Sequence, residues 1–255
     1  MIRTIFLAAA FLAIGSYPVA QASGKDVGHL SSHWGYAGAT GPEHWGSLNP
    51  GYGTCAHGVN QSPINLQNFI EAKLPPIDFA YTNAQATEII NNGHTIQVNF
   101  PPKTAAIRLD NNTFELKQFH FHAPAENQID NTQFAMEAHF VHADLSGNLA
   151  VVAVMMQGGE NNPALENLWR EFPAKADGPH PLVAPFFAES MLPVNREYFR
   201  YNGSLTTPPC TEGVRWLVLK QAVPISEEQV KVFATLMRHA NNRPVQPVNA
   251  RTVLR

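Results

Sequence analysis

The sequence predicts a mainly β (α+β) fold, with a single domain built on a large, mostly antiparallel sheet and helices at its surface. The 255 residues are 44% hydrophobic and 15% charged, a composition that allows one large core. β-branched and aromatic runs, often alternating, recur along the chain with Asn, Asp, Gly and Pro between them. Most of the turns between these runs are short, which favours antiparallel pairing.

The first element is a targeting segment. Arg3 gives a positive start, residues 5–14 are an apolar run too short to span a bilayer, and Ala20-Gln21-Ala22 resembles a cleavage site. A membrane anchor is the alternative interpretation of this run. We predict a signal peptide over 1–22, a mature domain over 23–255, and a secreted protein that is periplasmic if the source is Gram-negative.

The strands and helices follow from local patterns. Residues 33–45 are rich in Gly, Pro and aromatic residues, which predicts an irregular segment packed over the fold. The six predicted strands cover 95–100, 105–109, 114–123, 134–143, 149–157 and 214–223. A helix is predicted over 162–172, with Pro163 in its first turn. A second is predicted over 226–239, where Ser226 and Gln229 resemble a capping box.

The stretch QFHFH, residues 118–122, predicts a metal site. Alternate side chains of a strand share a face, so Gln118, His120 and His122 point one way and the two phenylalanines point into the core. The next strong strand carries His139 with Glu137 on one face, and an antiparallel neighbour would bring His139 to the first two histidines.

The second strand also suggests how the histidines are held. Gln118 precedes His120 by two residues, and Glu137 precedes His139 by two, so each could accept the imidazole N–H that faces away from a metal. His142 has the opposite parity and is not predicted to be a ligand. Three neutral imidazoles suit Zn²⁺ and leave a fourth position open for catalysis. Ordinary buried core histidines, or the metal site of another β-fold class such as the cupins, are the alternatives.

Eight motifs, taken together, resemble those of the α-class carbonic anhydrases of the exported bacterial type. In chain order they are HWGY (33–36), GPEHW (41–45), NQSPI (60–64), NNGH (91–94), QFHFH (118–122), EAHFVH (137–142), GSLTTPPC (203–210) and RPVQP (243–247). The resemblance covers nearly the whole mature chain. It implies a large, twisted, mainly antiparallel sheet with short peripheral helices, and zinc at the base of a conical cavity.

The resemblance also implies a role for each matched residue. His120, His122 and His139 match the zinc ligands, and Gln118 and Glu137 match the residues that support them. Thr206 matches the acceptor of a hydrogen bond from zinc-bound hydroxide, Glu126 matches the acid behind that threonine, and His94 matches the proton shuttle. The apolar wall for carbon dioxide matches Val141, Val151, Leu205, Val214 and Trp216. Thr207 matches a residue that contacts bound water or anions. Tyr36, Asn92 and Gln97 match residues that order the cavity water.

The two cysteines, Cys55 and Cys210, predict a disulfide if the protein is exported, with two separate thiols as the alternative. Related exported carbonic anhydrases carry such a bridge.

The predicted function is the zinc-dependent, reversible hydration of carbon dioxide to bicarbonate and a proton, with esterase activity as a side reaction. The resemblance implies that sulfonamides and anions inhibit it. A net charge of −3 without a basic run argues against nucleic acid and anionic membrane surfaces as partners. The alternatives are a carbonic-anhydrase-like binding protein and a zinc-handling protein, and the sequence leaves open whether the protein is a homodimer.

Overall fold

A twisted sheet of eleven strands carries most of the chain, and a three-stranded sheet lies apart from it. The computed structural model describes residues 33–81 and 84–255. The strands are β1 (Asn65–Leu66), β2 (Asp78–Ala80), β3 (Glu88–Asn91), β4 (Ile96–Asn99), β5 (Ala106–Leu109), β6 (Asn112–His122), β7 (Gln128–Ile129), β8 (Thr132–Gln133), β9 (Met136–Ala143), β10 (Leu149–Gly158), β11 (Gly178–Pro181), β12 (Tyr198–Ser204), β13 (Glu212–Leu219) and β14 (Val223–Ile225).

The helices are short. They are α1 (Trp45–Leu48), α2 (Gly53–His57), α3 (Pro163–Arg170) and α4 (Glu227–Met237), with 3-10 turns at Gly38–Thr40, Pro50–Tyr52 and Ala188–Met191. The prediction of a mainly β fold with short helices around one large sheet is confirmed. Among the described residues, no helix combines the length and the apolar character that a membrane crossing would require.

The large sheet runs in the order β11-β3-β4-β6-β9-β10-β13-β12, with β14 beside β10, β5 beside β6, and β2 beside β5. Its pairs are antiparallel except β10 with β13 and β10 with β14. The sheet is therefore mixed, although antiparallel pairs predominate as predicted. Strands β6 and β9 lie near its middle and are adjacent, which is the arrangement that the histidine pattern requires.

One predicted strand is divided in the structure, and strand β12 lies where no strand was predicted. The predicted strand 214–223 is two strands, because β13 ends at Leu219 and β14 begins at Val223. Strand β12 was not predicted, because Asn202 and Gly203 look like a turn in the sequence. In the structure they lie inside the strand, and the pairing register with β13 shifts between Gly203 and Ser204.

Helix α4 begins where its capping signal indicates. The Ser226 side chain accepts a hydrogen bond from the Gln229 backbone N–H, and the Gln229 side chain accepts one from the Ser226 N–H. Helix α3 also begins at a cap, since the Asn162 side chain accepts from the Ala164 N–H and Pro163 occupies the first turn. Both helices end two residues before the predicted ends.

The sheet separates two apolar clusters. The larger one contains Phe119, Phe121 and Phe140, all fully buried. The smaller one contains Val151, Val214 and Trp216, and Val141 and Leu205 pack against it. The two phenylalanines of QFHFH thus enter the larger core, as the alternation predicts, while the histidines face the other side of the sheet.

Candidate functional site

Three histidines converge on one face of the sheet. His120 on β6 and His139 on β9 are directly opposite each other across the strand pair, and His122 lies two residues further along β6. One ring nitrogen of each lies within 4.8 Å of the others. The predicted convergence on one point is therefore present, and it results from strand register alone.

Each of the three imidazoles has one ring nitrogen engaged with a neighbour. Nδ1 of His120 lies 2.9 Å from Oε1 of Gln118, and Nδ1 of His122 lies 2.7 Å from the Asn241 carbonyl oxygen. Nε2 of His139 lies 2.8 Å from Oε1 of Glu137, a close contact whose N–H direction falls short of a well-aligned hydrogen bond. The nitrogens left over are Nε2 of His120, Nε2 of His122 and Nδ1 of His139.

The three leftover nitrogens fit a metal ion. Nε2 of His122 is buried and has no hydrogen-bond partner among the described residues, which is costly for a polar atom unless a ligand completes it. Burial lowers the pKa of His120 and of His122, and for His120 the other two histidines lower it further. Both rings are therefore neutral near pH 7, the form that coordinates metal.

Glu137 is the charged residue behind His139, and it is fully buried. Its Oε2 accepts the backbone N–H groups of Glu126 and Asn127 at 2.7 and 2.8 Å, and its Oε1 accepts the Asn127 side-chain amide at 2.7 Å. Burial raises its pKa, but His139 and the amide donors outweigh that effect and lower the pKa to about 2. A permanently ionised acceptor therefore orients His139.

Glu126 lies on the other side of the same histidines. Its Oε2 is 3.5 Å from Nε2 of His122 and 3.8 Å from Nδ1 of His139, and its Oε1 accepts the Arg243 backbone N–H at 2.8 Å. Burial raises the pKa of Glu126 to about 7, and His139, the Arg243 N–H and the Thr206 hydroxyl each act against that rise. Thr206 is thus close enough to Glu126 to influence it, as the resemblance implies.

The residues predicted for the apolar wall lie together beside the histidines. Val151 is opposite Val141 on one side and opposite Trp216 on the other, so these three share a face across three strands. The Trp216 ring meets the His139 ring edge-on, with 4.8 Å between centroids. Val214 and Leu205 belong to the same cluster. An apolar surface therefore borders the face that carries the three histidines.

The loop that follows β12 is fixed by the disulfide. Cys55 and Cys210 are bonded at a sequence separation of 155, which confirms the predicted bridge. The Cys210 N–H donates to the Thr207 carbonyl oxygen at 2.8 Å, and the Cys210 carbonyl accepts from the Gln61 side chain at 3.1 Å. The loop that carries Thr206 and Thr207 is therefore fixed at its Cys210 end.

His94 lies on the turn after β3, half-buried. Its ring stacks on Trp34, with 3.8 Å between centroids, and Tyr36 lies 6.4 Å away. Partial burial lowers the pKa of His94, and His33 and His239 lower it further. A histidine that remains partly exposed and is easily deprotonated suits proton exchange with solvent.

The residues predicted to order cavity water occupy different settings. The Tyr36 ring lies among Trp34, Trp45 and His94, and burial followed by the charge of Glu126 raises its pKa well above the usual value. Oδ1 of Asn92 is engaged by the backbone N–H groups of the turn that carries His94. Gln97 pairs opposite His120 in the sheet and donates to the Asn99 side chain at 2.8 Å.

Sequence reasoning missed the partner of His122 and the anchor behind Glu126. These roles belong to backbone atoms of Asn241 and Arg243, on the segment after α4. The Arg243 guanidinium donates to the Gln61 side chain and to the carbonyls of Ser62 and Cys55. Contacts made by backbone atoms cannot be predicted from residue types, because every residue carries those atoms. The motif RPVQP drew attention to this segment but did not indicate its role.

Comparison with known proteins gives consistent matches. Residues 40–255 match the model of the eukaryotic-type carbonic anhydrase family. A carbonic anhydrase of Pectobacterium carotovorum is 48% identical over 224 residues, which are 88% of this chain and 91% of that protein. One of Klebsiella pneumoniae is 44% identical over 247 residues, 96% of this chain and 97% of that protein. The solved α-carbonic anhydrase of Thermovibrio ammonificans, in complex with the inhibitor sulfanilamide, is 47% identical, with a TM-score of 0.85 over 88% of this chain and 99% of that one.

Proposed function

The chain belongs to the eukaryotic-type carbonic anhydrase family, and on that premise we propose that it interconverts carbon dioxide and bicarbonate at a zinc ion held by His120, His122 and His139. One observation carries this proposal: each imidazole has one nitrogen engaged elsewhere, and the remaining nitrogens converge. The open side of the three-histidine group is where reaction would occur.

Zinc bound there would act as a Lewis acid and lower the pKa of water at the site into the neutral range, an effect for which carbonic anhydrases are the standard example. Neutral imidazoles preserve the full charge of the ion, which is why the pKa-lowering burial of His120 and His122 matters. Gln118, Asn241 and Glu137 would keep the rings turned towards one point.

Thr206 and Glu126 would orient the reacting oxygen. A hydroxyl that donates to the Glu126 carboxylate can only accept at its own oxygen, so Thr206 would receive the O–H of the attacking group. That arrangement aims a lone pair at the substrate carbon. The Arg243 N–H at Oε1 of Glu126 favours the ionised carboxylate that this role needs.

Carbon dioxide would bind against the apolar wall of Val141, Val151, Leu205, Val214 and Trp216. The substrate is small and uncharged, so a dry surface next to the nucleophile is sufficient to place it. Thr207 would contact bound water or anions beside this wall. The same nucleophile can attack activated esters, which accounts for the predicted side activity.

The proton released in each turnover would leave through His94. Its ring sits on Trp34 at the boundary between the protein and solvent, and its pKa is lowered from 6.5 by burial and by two neighbouring histidines. It can therefore give up a proton to buffer near neutral pH. Tyr36, Asn92 and Gln97 would order the water between the reacting centre and this ring.

Two further parts of the proposal concern inhibition and export. The sulfanilamide complex of the Thermovibrio enzyme supports the proposal that sulfonamides inhibit this protein. The proposed signal peptide, 1–22, lies outside the described residues. We propose 23–255 as the exported catalytic domain, and N-terminal sequencing of the secreted protein would establish the cleavage point.

The test is stopped-flow hydration of carbon dioxide with the purified mature protein, before and after zinc removal and after zinc is restored. We expect activity to disappear and return with the metal, and sulfanilamide to inhibit it. His122→Ala should lose bound zinc and activity together, whereas His180→Ala, which changes an exposed histidine paired with Asp177, should retain both. Zinc-loaded protein without activity would contradict the proposal and favour a binding or zinc-handling role.

A further inference from the structure

Asn241 uses all of its polar atoms to join two regions of the proposed site. Its side chain is fully buried on the segment that follows α4. Nδ2 donates to the carbonyl oxygen of His94 at 3.0 Å and to that of Phe121 at 2.9 Å. Oδ1 accepts the Ala123 backbone N–H at 2.9 Å, and the Asn241 N–H donates to the Ala123 carbonyl oxygen at 3.3 Å.

These contacts surround His122. Phe121 and Ala123 are the residues on either side of it, and the His122 ring itself lies against the Asn241 carbonyl oxygen at 2.7 Å. Asn241 therefore holds the backbone before His122, the backbone after it, and its ring. Two of the three restraints depend on the side-chain amide, and the third depends on how that amide places the Asn241 main chain.

The fourth contact reaches the turn of His94. That turn is already stiffened by Asn92, whose Oδ1 accepts the N–H groups of His94 and Thr95, and Thr95 in turn donates its hydroxyl to the Phe121 carbonyl. The Asn241 amide joins the same carbonyl to that of His94. The His94 turn and the end of β6 are thus both hydrogen-bonded to the side-chain amide of Asn241.

We propose that Asn241 is a positioning residue whose side-chain amide fixes both the His122 ring and the His94 turn, so that metal retention and proton release depend on the same group. The inference deepens the proposed function and rests on it for the roles of His122 and His94. Asparagine is the residue that fits: its amide offers two donors and one acceptor on a short stem, which matches two carbonyls and one N–H.

The discriminating variant is Asn241→Asp, which keeps the shape and the acceptor but directs an oxygen at the His94 and Phe121 carbonyls. Asn242→Asp is the matched control, because Asn242 is adjacent and makes no side-chain hydrogen bond to another described residue. Zinc dissociation would be measured by chelator competition. We expect Asn241→Asp to accelerate it by about 10-fold or more, as for other residues that support metal ligands, and the control to change it less than about 2-fold.

A second readout addresses the His94 turn. We expect kcat for carbon dioxide hydration to fall more than kcat/KM in Asn241→Asp, and added imidazole buffer to restore part of kcat. A role confined to folding would lower stability while leaving zinc dissociation and the kcat to kcat/KM ratio at wild-type values. That result would overturn the inference.

The wild-type protein provides a test that does not depend on a variant folding. In ¹⁵N-labelled protein, removal of zinc should shift the side-chain amide signals of Asn241 and the backbone signals of His94 and Thr95, but not those of the Asn242 side chain. Unmoved Asn241 and His94 signals, with a clear shift at His122, would refute the coupling. If zinc-loaded wild type proves inactive, the proposed function fails, while the dissociation and NMR experiments still decide the role of Asn241.

Discussion

Replacing Glu137 with glutamine should separate the charge of this buried residue from its shape. Every neighbour of the carboxylate is a donor: two backbone N–H groups at Oε2, and the Asn127 amide with the His139 ring at Oε1. A glutamine has only one acceptor oxygen, so in either orientation its NH₂ group faces donors. The substitution removes the charge and also leaves buried donors without an acceptor.

The magnitude follows from the same contacts. The pKa of Glu137 falls from 4.5 to about 2 in the folded protein, which corresponds to about 3 kcal/mol of stabilisation of the ionised form. A glutamine here also leaves buried donors without an acceptor, which costs about 1–3 kcal/mol for each donor. We therefore expect Glu137→Gln to lower the free energy of unfolding by about 3–5 kcal/mol, and to weaken zinc binding by about 10–100-fold through the loss of His139 orientation.

The assay combines urea unfolding of the zinc-free protein with chelator competition for the zinc-bound form. Glu160→Gln, at an exposed position, is the control and should match wild type in both measurements. The sign with pH is also fixed: because the folded pKa lies below the unfolded one, this stabilisation is complete above about pH 4.5 and is lost as the pH falls towards 2. Wild-type stability and zinc affinity in Glu137→Gln would refute the account of how His139 is held.

Three further predictions concern other parts of the molecule. Burial lowers the pKa of His142 from 6.5 to about 4. The contribution of this histidine to stability is therefore complete above about pH 6.5 and falls by about 3 kcal/mol towards pH 4. The double variant Tyr81→Phe/His142→Phe removes the hydrogen-bonded pair, so its free energy of unfolding in urea should vary less over this pH range. Replacing Cys55 and Cys210 with serine removes a cross-link between residues 155 positions apart and should lower the free energy of unfolding by up to about 5 kcal/mol. An unchanged free energy of unfolding would exclude a stabilising role for the bridge. His94→Ala should reduce kcat by about 10-fold or more without a comparable change in kcat/KM. Imidazole buffer should restore part of the lost kcat. Equal losses in kcat and kcat/KM would show that His94 does not act in proton release.

The sequence predicts those residues of the site whose positions follow from the alternation of side chains along a strand. Alternation on β6 and β9 was sufficient to place three histidines, Gln118 and Glu137 on one face. The register between these strands shifts between Leu116 and Gln118, and Leu116 points into the larger core with Phe119. Parity counted from the start of β6 would therefore have put the wrong residues on the face that carries the histidines. The prediction succeeded because it used only the stretch after this irregularity.

The unpredicted part comes from residues distant in sequence. Asn241 reaches His122 across 119 residues, and the Arg243 backbone reaches Glu126 across 117. Neither contact has a period or a spacing that propensity rules detect, and both depend on backbone atoms that every residue type carries. The resemblance to a family implied roles for Thr206, Glu126 and His94, but it did not explain how the chain holds them.

The electrostatics of the described residues around the histidines favour a divalent cation for a reason independent of ligand geometry. Two carboxylates, Glu126 and Glu137, are fully buried there, and one buried guanidinium, that of Arg243, lies in the same network. Burial lowers the pKa of His120 and of His122, so these two histidines do not balance the second carboxylate. Buried charge is expensive without a partner, and a dication at the three free nitrogens would lie within a few ångströms of Glu126. The three histidines could therefore supply the ligand atoms, and the ionised carboxylates behind them would favour a doubly charged ion in this interior.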